Sequence, residues 1–450
     1  MNEKPKLKRG LKSRNVTMIA IGGAIGTGLF LGSGSAIRSA GPSIILSYLI
    51  VGIITFFMMR ALGELILADP ESHSFLESIK KYLGKRAEFI AGWIYWACWL
   101  SLVMVDLTAT GIYLRYWFPW LPQWVGPLVI VVLLMLINMV NVGLFGELES
   151  WFSMIKVIAL IITGAIMILL QTHVKGSIVS LTNLVSHGGF FPTGPWGFLL
   201  SFQMVVFAFV GVEIVGQTAS ETANPQEDIP KAINTLPVRI GLFYVGSTIA
   251  IMSVYPWNEI TTTSSPFVQV FTGIGVTAAA GVLNFVVLTA AMSATNSAIF
   301  STSRSMYSLA RNGHAPEKLG KLTKKAIPMN ALTTSSIILF VVVILNYVMP
   351  AKIFDVVSTV STICFVIVWI MIMFAHIVYR KKNKNNLGKF RMPGYPLTSW
   401  LTIVFYFAVL ILLFFIPSTQ LALIISILFV VVLAISYNFV PKMRKIINIS

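Results

Sequence analysis

The sequence predicts an all-α integral membrane protein with twelve spanning helices. Three observations predict it. First, 56% of the 450 residues are hydrophobic and only 11% are charged, whereas a soluble domain runs about 45–50% apolar and about 25% charged. Second, twelve windows each hold the roughly 20 mostly apolar residues that a helix needs to cross a bilayer. Third, the basic residues fall almost entirely into alternate connecting segments, the pattern of a chain that crosses a membrane repeatedly. Closed β-barrels are the other spanning solution, but their strands are short and alternating, and these runs are long and continuously apolar. The composition excludes a water-soluble enzyme, a disordered chain and a collagen-like fibre.

The chain opens with a basic segment, residues 1–16, that carries Lys4, Lys6, Lys8, Arg9, Lys12 and Arg14. A signal peptide would begin similarly. The apolar run that follows reads GGAIGTGLFLGSGS (22–35) and has no clean cleavage site, so it is expected to be a retained first span, residues 17–37. Glycine destabilises a helix by roughly 1 kcal/mol relative to Ala, and Gly22, Gly23, Gly26 and Gly28 together favour local unwinding in mid-membrane. The second span, 41–62, ends near Arg60 and Glu64. They lie four residues apart on one helix face and read as an interfacial pair. Residues 70–85 are polar and partly amphipathic and suit a helix lying at the interface.

The third span, 87–116, carries Asp106 near its middle, with no Lys or Arg within a turn. A carboxylate there must be protonated, paired across helices or facing water. The fourth span is 124–144. Glu147 and Glu149 follow it, near the first turn of the fifth helix, where the dipole favours them. The fifth span, 151–171, carries Lys156. An ammonium is costly to keep charged away from water, so Lys156 is a candidate proton carrier; the alternative is snorkelling to the interface. The loop 172–195 is the longest on the outer side, and its Gly and Pro argue against a folded domain.

The sixth span, 196–219, places Glu213 between Gly211 and Gly216, and is expected to break there with Glu213 supporting the break. Glu221, Glu227 and Asp228 read as a solvated loop. The seventh and eighth spans are 239–257 and 270–300. Asn284, Thr289, Ser293, Asn296 and Ser297 form a polar strip at helical spacing along the eighth, either joining helices or lining a pocket. Residues 314–328 make an inner loop. The ninth to twelfth spans are 329–350, 354–379, 398–416 and 420–440, and Ser358, Thr359, Ser361 and Thr362 repeat the polar strip in the tenth. The tail is 441–450. The five His residues read as mostly loop or interfacial, none placed as a catalytic base.

With the N-terminus inside, the outer loops hold only Arg38, Arg115, Lys175 and Lys352, and nearly all other Lys and Arg lie in inner segments. This places both termini in the cytoplasm. It also explains the net charge of +17 without a nucleic acid partner. The two cysteines, Cys98 and Cys364, sit in apolar runs, and no metal-ligand spacing, phosphate-binding loop or dinucleotide fingerprint occurs. No cofactor or metal is expected.

The two interrupted spans lie five spans apart. That spacing predicts an inverted repeat, 17–171 and 196–379, followed by two further helices at 398–440. Unwound backbone at membrane depth must line a cavity or be buried in protein. Its N–H groups suit an anion and its C=O groups a cation, which together suit a zwitterion. The competing reading is that the glycines only allow close packing, since Gly22–Gly26 and Gly28–Gly32 both fit GxxxG.

The residues that follow carry a resemblance. LKSR (11–14) leading into IAIGGAIGTGLFLGSG (19–34), SAGPSIILSYLIVG (39–52), MRALGEL (59–65), FGELESWFSMIKVIAL (145–160), FAFVGVEIVGQTASETANPQEDIPKAI (207–233) and NFVVLTAAMSATNSAIFSTSRSMYSLARNGHAP (284–316) resemble the amino acid transporter family of the amino acid–polyamine–organocation superfamily. RALGELILADPESHSF (60–75) and INTLPVRIGLFYV (233–245) are similar to the D-serine/D-alanine/glycine permeases within it. The resemblance implies proton-coupled amino acid import by alternating access in the cytoplasmic membrane, with small neutral substrates such as alanine, serine and glycine, D-enantiomers included. Aromatic or basic amino acids are the alternative substrates. It implies that Gly26, Thr27 and Gly28 hold the substrate carboxylate. Carbonyls near Ala24 and Ile25, and around Phe207, Ala208, Val210 and Gly211, would take the ammonium, and Phe207 or Phe209 would gate the pocket. It also implies that Lys156 couples the proton. Asp106, from its place in the span, reads as a substrate-amine contact or second proton carrier, the alternative being a neutral, hydrogen-bonded packing residue.

Two other classes compete. An intramembrane enzyme needs a paired catalytic set, and Asp106 has no partner Asp in the interior of any span. A channel wants charged rings or an open polar pore, and two broken helices favour one occluded site per chain.

Overall fold

The computed structural model describes residues 26–69, 74–140, 151–152, 154–156, 158, 180–218, 222, 224–273, 277–323, 327–350, 352–384 and 386–439. These residues are helical with short connections. Eight of their helical runs are long and apolar enough to cross a membrane: Gly32–Leu67, Lys85–Leu114, Pro225–Val254, Ala278–Arg311, Met329–Val348, Ile353–Lys382, Leu397–Phe415 and Pro417–Ser436. Two shorter apolar helices, Val125–Met139 and Gly194–Ala208, fall in the expected fourth and sixth windows. The fifth window, 151–171, lies outside the described residues except around Lys156, as does the first half of the first window.

Local sequence explains the boundaries. A short helix, α1 (Thr27–Phe30), precedes the first run, which begins with α2 (Gly32–Ala40). The run turns at Gly41, whose φ of +61° favours glycine, and enters α3 (Ile44–Leu67). The amphipathic segment forms α4 (Phe75–Leu83), and the Ser74 side chain caps it by accepting from the Leu76 amide at 3.3 Å. Next come α5 (Lys85–Leu114), α6 (Val125–Val140), α7 (Gly194–Ala208) and α8 (Ile214–Thr218).

The expected loop after the sixth span is instead α9 (Pro225–Asn234). Pro225 opens it, and Glu227 and Asp228 occupy its first turn, where the dipole favours carboxylates. They are therefore helix-start residues, with Asp228 buried. The path continues through a wider-wound π-helical stretch, Ile240–Gly246, into α10 (Ser247–Val254). The remaining helices are α11 (Pro266–Gly273), α12 (Thr277–Arg311), α13 (Met329–Val348), α14 (Ile353–Lys382), α15 (Leu397–Leu412) and α16 (Gln420–Ser436).

The centre is built on α5, which packs along α12 and α14, while α7 packs against α2 and α3. α5 is buried on nearly every side. α15 and α16 are the opposite case. They present Leu401, Val404, Phe407, Ile424 and Leu428 outward, the surface of helices bathed in hydrocarbon rather than water.

Candidate functional site

The first break lies at Gly26, whose extended backbone (φ −129°, ψ −164°) precedes α1. The amides of Leu29 and Phe30 return to the Gly26 carbonyl at 3.1 and 3.2 Å. The amides of Thr27 and Gly28 stand in the first turn, where no intrahelical carbonyl can reach them. A side chain added at Gly26 would meet nothing within 4 Å.

The second break follows Ala208. The amides of Phe209 and Val210 tighten onto the carbonyls of Val206 and Phe207 at 3.0 and 3.1 Å. Gly211 then reverses the backbone with φ +97°, and α8 resumes at Ile214. Of the two interruptions expected from the glycine pattern, the second is present; at the first, α1 starts from Gly26, and the residues before it lie outside the described residues.

They touch each other. A Cβ added at Gly28 would lie 2.6 Å from Ala208 Cα, and one at Gly32 would lie 3.0 Å from Met204 Sδ. The two readings of the glycine run thus divide by residue. Gly28 and Gly32 allow close approach to α7, whereas Gly26 stands at the extended break itself.

Asp106 closes the third side. It is 1% exposed and accepts a hydrogen bond from the Thr27 hydroxyl. The carboxyl group of Asp106 is thus held across helices by a hydrogen bond from Thr27. Phe207 meets Phe354 of α14 edge-on at 6.4 Å. Phe209 points the other way, stacked on Tyr244 at 4.7 Å and against Tyr48. The Tyr244 hydroxyl donates to the Ala208 carbonyl at 2.9 Å, fixing the last carbonyl of α7. Periodicity gave no signal for Tyr244.

Glu213 is fully buried, and its carboxylate accepts from the Trp369 indole at 3.3 Å. Lys156 is also fully buried, so its head does not snorkel to water in this conformation. Ala24 and Ile25 lie outside the described residues. Along α12, Asn284 donates to the Tyr113 carbonyl at 2.9 Å, and Asn296 accepts from Asn138 at 2.8 Å, so at these two positions the strip joins helices.

One correction concerns Arg60 and Glu64, which are not paired through a mutual salt bridge. The Glu64 carboxylate receives Arg380 at 2.6 Å, His376 at 3.0 Å and the Met392 amide at 2.8 Å. Arg60 instead donates to Asn234 at 2.8 Å and to the Arg391 carbonyl, and covers the Phe390 ring. His376 is accordingly a fully buried residue rather than an interfacial one. A buried carboxylate takes the donors that satisfy it most completely, and α14 with the segment after it supplies more than one helical neighbour can. A second buried carboxylate, Glu88, is held in the same manner by Lys80 (3.2 Å), His314 (3.2 Å) and Asn312 (2.9 Å).

At the opposite end of the helices a cavity of about 1150 Å³ opens beside the breaks, and its walls include Leu31, Tyr113, Asn284 and Phe354. The arrangement as a whole offers a helix N-terminus, a helix C-terminus and one buried carboxylate to a small polar molecule.

The sequence profile of the family described as "Amino acid permease" matches residues 15–446. The chain is 53% identical over 441 residues to the amino-acid permease AapA of Bacillus subtilis (strain 168), covering 97% of this chain and 96% of that one. It is 44% identical over 446 residues to the D-serine/D-alanine/glycine transporter of Escherichia coli (strain K12), covering 97% and 95%. It is 41% identical over 448 residues to the aromatic amino acid transport protein AroP of Escherichia coli O6:H1, covering 98% of each.

Proposed function

This chain belongs to the amino acid permease family, and we propose that it is a proton-coupled importer of small neutral amino acids, D-enantiomers included. The multi-pass chain sits in the cytoplasmic membrane with both termini inside, as a twelve-helix inverted repeat.

The observation that carries the reading is the contact between the two breaks, Gly28 against Ala208. It sets first-turn amides of one helix beside the final carbonyls of another. The amides of Thr27 and Gly28 take the substrate carboxylate, and the carbonyls around Phe207 and Ala208 take the ammonium. The α-carbon substituents then face whatever walls remain. Asp106, held by Thr27, serves as a substrate-amine contact or a second proton carrier. Phe207 gates the pocket through its contact with Phe354. Lys156, buried away from the surface, alternates between charged and neutral and thereby ties the proton to the cycle. Similarity to a transporter named for D-serine, D-alanine and glycine supports the small-substrate reading. Similarity to AroP supports an aromatic substrate as the second reading.

The test is uptake of labelled D-alanine into proteoliposomes under an inward proton gradient, with unlabelled amino acids as competitors. Uptake abolished by a protonophore and competed by glycine and serine is expected. Competition by aromatic amino acids alone would overturn the small-substrate reading in favour of the second. Lys156→Ala is expected to abolish gradient-driven accumulation while retaining exchange. Undiminished accumulation would remove Lys156 from coupling.

A further inference from the structure

Outer loops of this chain contain only four Lys or Arg residues, and two of them, Arg38 and Arg115, line the same cavity. Arg38 lies on α2, and Arg115 directly follows α5. Asp355, on the first turn of α14, is a third charge on that wall. All three side chains are exposed, and among the described residues none of them forms a salt bridge. The cavity is not a remote dent. Leu31 lines it and immediately follows α1, and Phe354, beside Asp355, packs on Phe207 at the second break. Whatever occupies the cavity therefore touches the residue that follows α1 and the aromatic partner of Phe207.

We propose that this cavity is a second binding site for α-amino acid zwitterions, a waiting position before the breaks. The Arg38 and Arg115 guanidiniums take the carboxylate and Asp355 takes the ammonium. The inference rests on the transport reading above and on its orientation. Two cations and one anion complement a zwitterion better than they do a simple cation or anion. The volume of about 1150 Å³ exceeds even the roughly 300–1,000 Å³ of a pocket for a drug-sized ligand, so the walls leave the side chain of a small amino acid ungripped. The site reads the two groups that all α-amino acids share, and discrimination among side chains is left to the breaks. Binding of this kind is the same in ground and transition states, so its loss raises KM and spares the maximal rate.

The experiment uses full-length protein in proteoliposomes, with initial rates measured for D-alanine and for each further amino acid that the wild type carries. Asp355→Asn and the double variant Arg38→Gln/Arg115→Gln are each expected to raise KM about three- to fivefold, the range of an exposed ion pair. The factor should be equal for every substrate, with the maximal rate within about twofold. Asp355→Glu should restore the wild-type KM. The double variant should also flatten the dependence of uptake on ionic strength. Unchanged KM in both charge-removing variants would overturn the proposal. So would a lower maximal rate at unchanged KM, which marks Asp355 as merely stabilising the start of α14. If Asp355→Asn does not fold, the double variant, on two other elements, decides alone. Wild-type protein that carries no amino acid would defeat the transport reading first, before any variants are compared.

Discussion

Replacing Gly28 by alanine tests whether the two breaks meet as one site. The new Cβ would stand 2.6 Å from Ala208 Cα, 3.2 Å from its nitrogen and 3.3 Å from its Cβ. Carbon atoms rest about 3.5–4.0 Å apart, so the end of α7 must withdraw by about 1 Å. The obstructing atoms are backbone and cannot rotate aside. Overpacking of this kind costs about 1–3 kcal/mol. A site must be held within about 0.5 Å of its working geometry, so a withdrawal of that size is expected to reduce D-alanine uptake by at least tenfold. The control is Gly388→Ala, remote from both breaks. It meets nothing within 4 Å, so near wild-type uptake is expected. Uptake kinetics and the melting temperature in detergent are measured together. Wild-type KM and melting temperature for Gly28→Ala would refute the reasoning, because the contact between the breaks would then be dispensable.

Three further outcomes follow from the same geometry. Thr27→Val removes the hydroxyl donated to buried Asp106 and should cost about 1–3 kcal/mol. The Thr27→Val/Asp106→Asn double variant should be clearly non-additive in denaturant titrations, and simple additivity would separate the two residues. Glu64→Ala strands buried Arg380 and His376 and the Met392 amide and should cost about 3–5 kcal/mol, whereas Arg60→Ala should cost about 1 kcal/mol or less. Equal losses on thermal unfolding would restore the Arg60–Glu64 pair. Trp369→Phe removes the donor to Glu213 and should lower stability by about 1 kcal/mol; an unchanged melting temperature would show that the break stands without it.

What was legible in the sequence depended on the range over which each cause acts. Helix interruption is local. Gly211 reverses the backbone where it stands, and the sixth span is interrupted there; α1 likewise starts from Gly26. Hydrocarbon burial is a property of windows, and eight expected spans, the second, third and seventh to twelfth, each correspond to one of the eight long helical runs. Partner choice is different. Arg60 and Glu64 share a helix face, and that proximity suggested a pair. Yet Glu64 is bound by Arg380, 316 residues away, and by His376, 312 residues away. Spacing rules describe pairs exposed to water, where the nearest charge suffices. A carboxylate withdrawn from water needs several donors at once, and only folding decides which helices bring them.

The same distinction accounts for Tyr244. The carbonyl at the end of α7 must be satisfied or offered to a ligand, a demand visible as soon as the break is recognised. Which hydroxyl meets it was not visible, since Tyr244 lies 36 residues on, in a π-helical stretch whose widened turn alters which side chains face α7. Tyr244 occupies one lone pair of the Ala208 oxygen and leaves the other for an incoming donor. A break that offered every carbonyl freely would collapse onto itself or onto water. One that satisfied all of them would bind nothing. With one lone pair held by Tyr244 and the amides of Thr27 and Gly28 outside any intrahelical pairing, the start of α1 and the end of α7 keep a fixed shape and still hold donors and acceptors for the zwitterion proposed above.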